Sequence, residues 1–275
     1  MKKNRDVIPL RELAERLAAG KLNSSAVSIT FDDGYACNDE VAAPLLEEAG
    51  LPATIFIPTH LIEAGQEAWW DRLAAILIDH PAQSIVLELE EDRSVVDLGE
   101  KSDGDWHWQP GQGPSTPRQE AFHATWAKLQ VLPPDAQRSA VDRLASQSDE
   151  RGPRASHRLM TAERVRGVQS DLIELGGHSL THTALSHRSR DEQEIEIRES
   201  RRELQAMSGT VPKTFAYPYG DYDANSVELA REAGFMCACT TDHGGIRKNA
   251  DAFALPRIAV GNWDGRQLGA RLSSV

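Results

Sequence analysis

Cysteine is scarce: the 275-residue chain holds three, Cys37, Cys237 and Cys239, with no CxxC spacing. An odd, unpatterned set argues against a disulfide framework or a thiolate metal centre. It points to free thiols in a reducing compartment, Cys237 and Cys239 packing on a strand. Positive charge is in short supply too. Thirty Lys and Arg face 42 Asp and Glu, a formal net charge of −12. That balance opposes a protein that tracks nucleic-acid phosphates or docks on an anionic membrane surface. Long apolar runs are missing: none approaches the roughly 18 residues of a membrane span. No apolar stretch follows the basic start Met1–Asp6, so no secretory signal and a cytoplasmic location are expected. Internal repeats and low-complexity tracts are absent as well.

What is present fits a soluble globular protein, 40% hydrophobic and 26% charged. Leu10, Leu13 and Leu17 have helical spacing, whereas residues 1–26 contain no clear strand. Strands are expected at 27–31 and 53–57, with a helix at about 39–49 between them, the unit of a parallel sheet. From about 66 to 158 the alternation stops. Helices at 69–80, 118–130 and 134–147, a hairpin at 84–97 and a Gly/Pro-rich turn region at 104–117 are expected there. Five of the six tryptophans lie in this stretch: Trp69, Trp70, Trp106, Trp108 and Trp126. It reads as an insertion into a single domain spanning 1–275. Helices at 161–170, 191–207 and 223–233 then alternate with strands at 172–175, 214–217, 235–241 and 255–260. Thr161 is a candidate N-cap, and the many charges of 191–207 read as a solvated face.

Four of the six strands run directly into polar or Gly/Pro residues, at the end where parallel α/β proteins build sites. The first such exit is Thr30-Phe31-Asp32-Asp33-Gly34. Neighbouring strand residues face opposite ways, so both carboxylates reach one pocket only if the chain turns at Gly34. A metal ligand beside a general base is one reading, and a plain Asp-Gly turn the other. The second exit, Gly176-Gly177-His178-Ser179-Leu180-Thr181-His182, puts two histidines four apart. On a helical turn they would share a face and one ion; His187 nearby shows that histidines are locally common. The third exit is Tyr217-Pro218-Tyr219-Gly220, readable alone as a rigid strand-exit turn. Two imidazoles, one carboxylate and open positions suit a hydrolytic metal centre, with zinc the expected ion. A second, unligated carboxylate then takes the proton of water. Trp69 and Trp70 are adjacent, so one is expected to stay exposed and offer a flat face to a sugar ring.

Taken together, these three exits resemble the polysaccharide deacetylase superfamily, the NodB-homology proteins. Thr30-Phe31-Asp32-Asp33-Gly34 matches its first motif, His178-Ser179-Leu180-Thr181-His182 its H-S/T-x-x-H motif, and Tyr217-Pro218-Tyr219-Gly220 its third. The resemblance implies a distorted, TIM-barrel-like (β/α)7 barrel. It implies a divalent metal on Asp33, His178 and His182, Asp32 as base, and the Tyr219 backbone N–H at the oxyanion. Tyr217, Pro218, Trp70, Asp242 and Arg257 are carried as substrate-binding or supporting residues. The arginine that usually precedes Pro-Tyr in this family is missing; Arg257, paired with Asp242, is the candidate substitute, and a plain surface arginine is its other reading. The family's late histidine, its usual acid, has no counterpart in Ile258-Ala259-Val260-Gly261; His243, His60 or a water are alternatives. The implied activity is removal of N-acetyl groups from an acetylated amino-sugar glycan. O-acetyl ester or small-amide hydrolysis at the same site, and an inactive carbohydrate-binding protein, are the rival readings.

Overall fold

A computed structural model describes residues 5–64, 67–89, 92–107, 113–148 and 153–273. Trp108 and part of the expected turn region at 104–117 lie outside these. The chain divides into two compact units, one made of 1–65 with 159–275 and the other of 66–158. In chain order the elements are β1 (Asp6–Val7), α1 (Leu10–Ala18), β2 (Ala26–Val27), β3 (Ile29–Phe31), α2 (Ala43–Ala49), β4 (Ala53–Ile57) and the short α3 (Thr59–Ala64). The second unit holds α4 (Trp69–Asp79), β5 (Ser84–Leu89), β6 (Asp92–Asp97), α5 (Pro117–Leu129) and α6 (Pro134–Ala145). The first unit resumes with α7 (Ala162–Val168), β7 (Ile173–Gly177), α8 (Arg190–Ser208), β8 (Thr214–Ala216), α9 (Ala224–Glu232), β9 (Cys237–His243), β10 (Leu255–Arg257) and α10 (Gly265–Ser273). No helix among the described residues is long and apolar enough to cross a membrane.

Six strands of the first unit form one parallel sheet in the order β3-β4-β7-β8-β9-β10. The strand–helix alternation is that of a parallel α/β sheet, and the arrangement is of the (β/α)-barrel class that the family resemblance implies. Residues 1–26 do contain a strand, missed in the sequence because it is only two residues long: β1 pairs in parallel with β2. β4 is buried along its whole length, as its Ala-Thr-Ile-Phe-Ile run requires of a strand covered on both faces. Its side chains alternate between two cores. Ile55 and Ile57 pack with Val165, Ile173, Leu175 and Leu204, whereas Phe56 packs with Leu10, Leu13 and Leu17 of α1 and with Ala216 and Leu255. Cys237 and Cys239 join the Phe56 side, both buried free thiols. Burial pushes the Cys239 thiol up to about 12, the behaviour of a packing residue. Close approach at Phe56 accounts for one glycine: a Cβ on Gly176 would sit 2.5 Å from Phe56 Cε1 and 2.8 Å from Thr214 Oγ1. Between the two edge strands lies an apolar cavity of about 360 Å³, lined by Leu10, Ile29, Leu255 and Leu268 and bounded by Arg257.

The second unit packs α4, α5 and α6 with the antiparallel β5–β6 hairpin. Trp69 is buried, stacked on Trp126 at 6.4 Å, and Trp70 lies edge-on to it, half-buried. Arg118 is buried at the centre of this unit.

Candidate metal centre

The three strand exits meet. Thr30 and Phe31 end β3, and the chain then enters the left-handed region at Asp33 (φ 70°) and Gly34 (φ 68°). Gly34 is needed at that point: a Cβ there would lie 3.0 Å from Ile57 Cδ1 in a conformation that other residues rarely adopt. The turn aims Asp33 at the exit of β7, where its Oδ1 stands 3.4 Å from His178 Nε2 and 3.1 Å from His182 Nε2.

His178 and His182 do not share a helical turn. Residues 178–182 form an irregular loop in which Ser179 (φ 61°) and His182 (φ 58°) are both left-handed. Their imidazoles converge because the loop doubles back, with the His182 amide donating to Ser179 Oγ at 3.0 Å. The helical turn on which this spacing would align the two rings is not formed: two left-handed residues break the helical repeat. At the third exit Tyr219 is left-handed as well (φ 59°), and its ring lies edge-on to His182 at 4.5 Å. These four are the left-handed non-glycine residues among those described. Each such residue costs about 1–3 kcal/mol and persists only where packing enforces it.

The donor set fits a divalent ion. Asp33, His178 and His182 each offer one ligand atom, and the three atoms lie within 4.8 Å of one another. The two nitrogen–oxygen separations bracket the ~3.3 Å between neighbouring ligands of a tetrahedral ion with bonds of about 2.0–2.1 Å. His178 Nδ1 faces the Ala216 carbonyl at 2.8 Å. A carbonyl only accepts, so Nδ1 carries the proton and Nε2 presents its lone pair to the cluster. Without an ion the cluster polarises itself. Burial pushes the Asp33 carboxyl up, but the two imidazoles outweigh it and hold the group well below its usual range. Burial lowers His182, whereas at His178 the Asp33 carboxylate overcomes burial and raises it.

Asp32 sits beside this cluster under a different grip. Arg257 donates to both its carboxylate oxygens at 2.7 Å and to Thr30 Oγ1 at 3.2 Å, while its Nε is fixed on the Thr240 carbonyl at 2.8 Å. The pairing of Arg257 with Asp242 expected from sequence is therefore corrected. Asp242 is exposed and accepts from Thr240 Oγ1, whereas Arg257 reaches from the last strand of the sheet to the first. Tyr217 is fully buried, its hydroxyl donating to the Phe253 carbonyl and its ring stacked on Tyr222. With Pro218 also buried, both support the third exit from within the core. Trp70 belongs to the second unit. His60 pairs with Glu203, His243 and His187 are exposed, and none of the three belongs to the cluster. Two acids of α8, Glu196 and Glu203, turn inward rather than join a solvated face. Their signal was the buried stripe Gln193, Ile197, Ser200 and Leu204 running among the charges.

A profile of the polysaccharide deacetylase family matches residues 19–97 and 144–238. The Bacillus subtilis protein YxkH, named for that family, is 23% identical over 117 residues, 42% of this chain and 42% of that protein. The chain thus aligns with about two fifths of its curated relative. Among solved structures, the Streptococcus pyogenes deacetylase PplD in complex with acetate superposes with a TM-score of 0.61 at 15% identity, covering 98% of this chain and 81% of that one. The deacetylase domain of BpsB from Bordetella bronchiseptica gives 0.54 at 17% identity, covering 94% and 80%. At such identities these likenesses concern the fold. The profile spans more than half of the residues and includes all three strand exits, so this chain belongs to the polysaccharide deacetylase family.

Proposed function

We propose that the chain hydrolyses N-acetyl groups of amino sugars in a glycan or glycan precursor, with a divalent metal, zinc by preference, held by Asp33, His178 and His182. The carrying observation is the pair of neighbouring carboxylates with opposite company: Asp33 against two imidazoles, Asp32 in a two-pronged arginine grip. A bound divalent ion supplies Lewis-acid stabilisation of negative charge and makes water more acidic. Asp32 accepts the proton as water attacks the amide carbonyl. The Arg257 fork fixes its orientation through two parallel hydrogen bonds. The His178 Nδ1–H bond to Ala216 holds one ligand in the tautomer that binds cations. The Tyr219 amide, in the left-handed turn that also carries a ring against His182, is the proposed donor to the oxyanion. Acetate and a free amine leave.

Ester hydrolysis is a second reading, favoured by one observation: His60 and His243, the candidate acids, stand outside the cluster. An ester's leaving group needs less protonation than an amine. Acetate release from N-acetylglucosamine oligomers and from O-acetylated sugars, with and without chelator, tests both. Amide turnover that chelator and Asp33→Ala each abolish is expected, and turnover that survives Asp33→Ala contradicts the proposal.

A further inference from the structure

The loop between the two histidines lacks a helical or sheet hydrogen-bond ladder, yet it holds its left-handed residues in place. Its support comes from α8. Glu196 is buried, and its Oε2 accepts the backbone N–H groups of Leu180 (2.9 Å) and Thr181 (3.0 Å), while Oε1 accepts the Thr181 hydroxyl (2.6 Å). A carboxylate removed from water is costly unless hydrogen bonds replace hydration. These three donors come from the two residues just before His182. Two turns further along α8, Glu203 takes the Thr59 hydroxyl at 2.7 Å. The Thr59 and His60 amides in turn donate to the Ser179 and Leu180 carbonyls at 3.4 and 2.9 Å. The loop is therefore gripped on its N–H groups by Glu196 and on its C=O groups by a segment that Glu203 braces. The Ser189–Glu192 capping box fixes the start of α8, and Gln193, Ile197, Ser200 and Leu204 seat the helix by burial.

We propose that Glu196 is a positioning residue for the metal centre: from α8 it holds Leu180 and Thr181 so that the imidazoles of His178 and His182 converge on the Asp33 carboxylate. Glu196 touches none of the three ligands and acts through the backbone between two of them. The inference rests on the metal site proposed above and extends it to a helix read from sequence as solvated.

The test uses the full chain and zinc and cobalt ions alone. Zinc affinity is measured by chelator competition, ligand geometry by the visible absorption of the cobalt-loaded protein, and folding by the melting temperature of the metal-free protein. Glu196→Ala should weaken zinc binding about 10- to 100-fold, the usual effect of losing a group that orients a ligand, and should change the cobalt spectrum. Glu196→Gln should restore most of the affinity, because its amide oxygen still accepts both N–H groups and its NH₂ can donate to the Thr181 hydroxyl. If Glu196 only packs α8, Glu196→Ala lowers the melting temperature and leaves zinc affinity and cobalt spectrum as in wild type, which overturns the inference. Should Glu196→Ala not fold, Thr181→Val, lacking only the hydroxyl bond, decides: weaker zinc binding supports the inference and unchanged binding overturns it. A wild-type chain that binds no zinc fails the metal site itself, and the inference with it. Tight wild-type binding beside an indifferent Glu196→Ala fails the inference alone.

Discussion

Two sheltered arginines, one in each unit, show how differently the chain uses the same side chain. In the second unit Arg118 is 1% exposed and donates to the carbonyls of Leu77, Ile78, His80, Ala82 and Gly99, with the Asp105 carboxylate 3.7 Å away. Asp105 is also held by Ser102, so every charge at that centre is enclosed by structure. In the first unit Arg257 meets one carbonyl, one hydroxyl and both oxygens of Asp32, a carboxylate still 30% exposed. Arg118 ties loops and helix ends together. Arg257 holds Asp32, the proposed base, beside the three converging side chains of the proposed metal site. A fully enclosed charge stabilises, and a charge left partly open is available for chemistry.

That contrast can be broken or sharpened. The largest effect is expected at Asp32→Asn, which keeps shape and removes the proposed base: kcat should fall about 100- to 10,000-fold, with zinc content unchanged by metal analysis. Arg118→Met comes next. It strands a buried carboxylate and several carbonyls, and denaturant unfolding should show a loss of about 3–5 kcal/mol. Arg257→Lys should be milder, because one ammonium cannot span both Asp32 oxygens. We expect kcat lower by about 10- to 100-fold, KM nearly unchanged, and a melting temperature close to wild type. Equal stability losses in the two arginine variants, with no loss of kcat in Arg257→Lys, would erase the distinction.

The smallest effect concerns pH. In the metal-free protein the Asp33 carboxyl lies below its ordinary value of 3.8. Its contribution to stability is therefore complete above 3.8 and is lost as pH falls from there toward the depressed folded value. Acid unfolding of metal-free Asp33→Asn should lack this part of the pH dependence, which chemical denaturation at a series of pH values below 4 would reveal.

Much of this was legible in the sequence because it is local. Strand Ala53–Ile57 announces itself as an apolar run, and Thr161 caps α7 through the Arg164 amide as its position implies. The three strand exits carry their polar residues in plain view. What escaped depends on distance along the chain. Arg257 and Asp32 are 225 residues apart, and only the approach of the sheet's two edge strands makes them partners. Locally, Asp242 seemed the natural mate for Arg257. The His178–His182 spacing suggested a helical turn, but Glu196, 15 residues beyond Thr181, stabilises a different backbone there. Glu196 itself hid among the acids and bases of Arg190–Ser208, where composition masks a buried stripe.

The central claim is that one cation is shared by Asp33, His178 and His182. Zinc-edge anomalous diffraction from crystals grown with zinc tests it directly. The account predicts a single strong peak bonded to Asp33 Oδ1 and the Nε2 atoms of both histidines. A peak elsewhere, or none at this cluster, would contradict it.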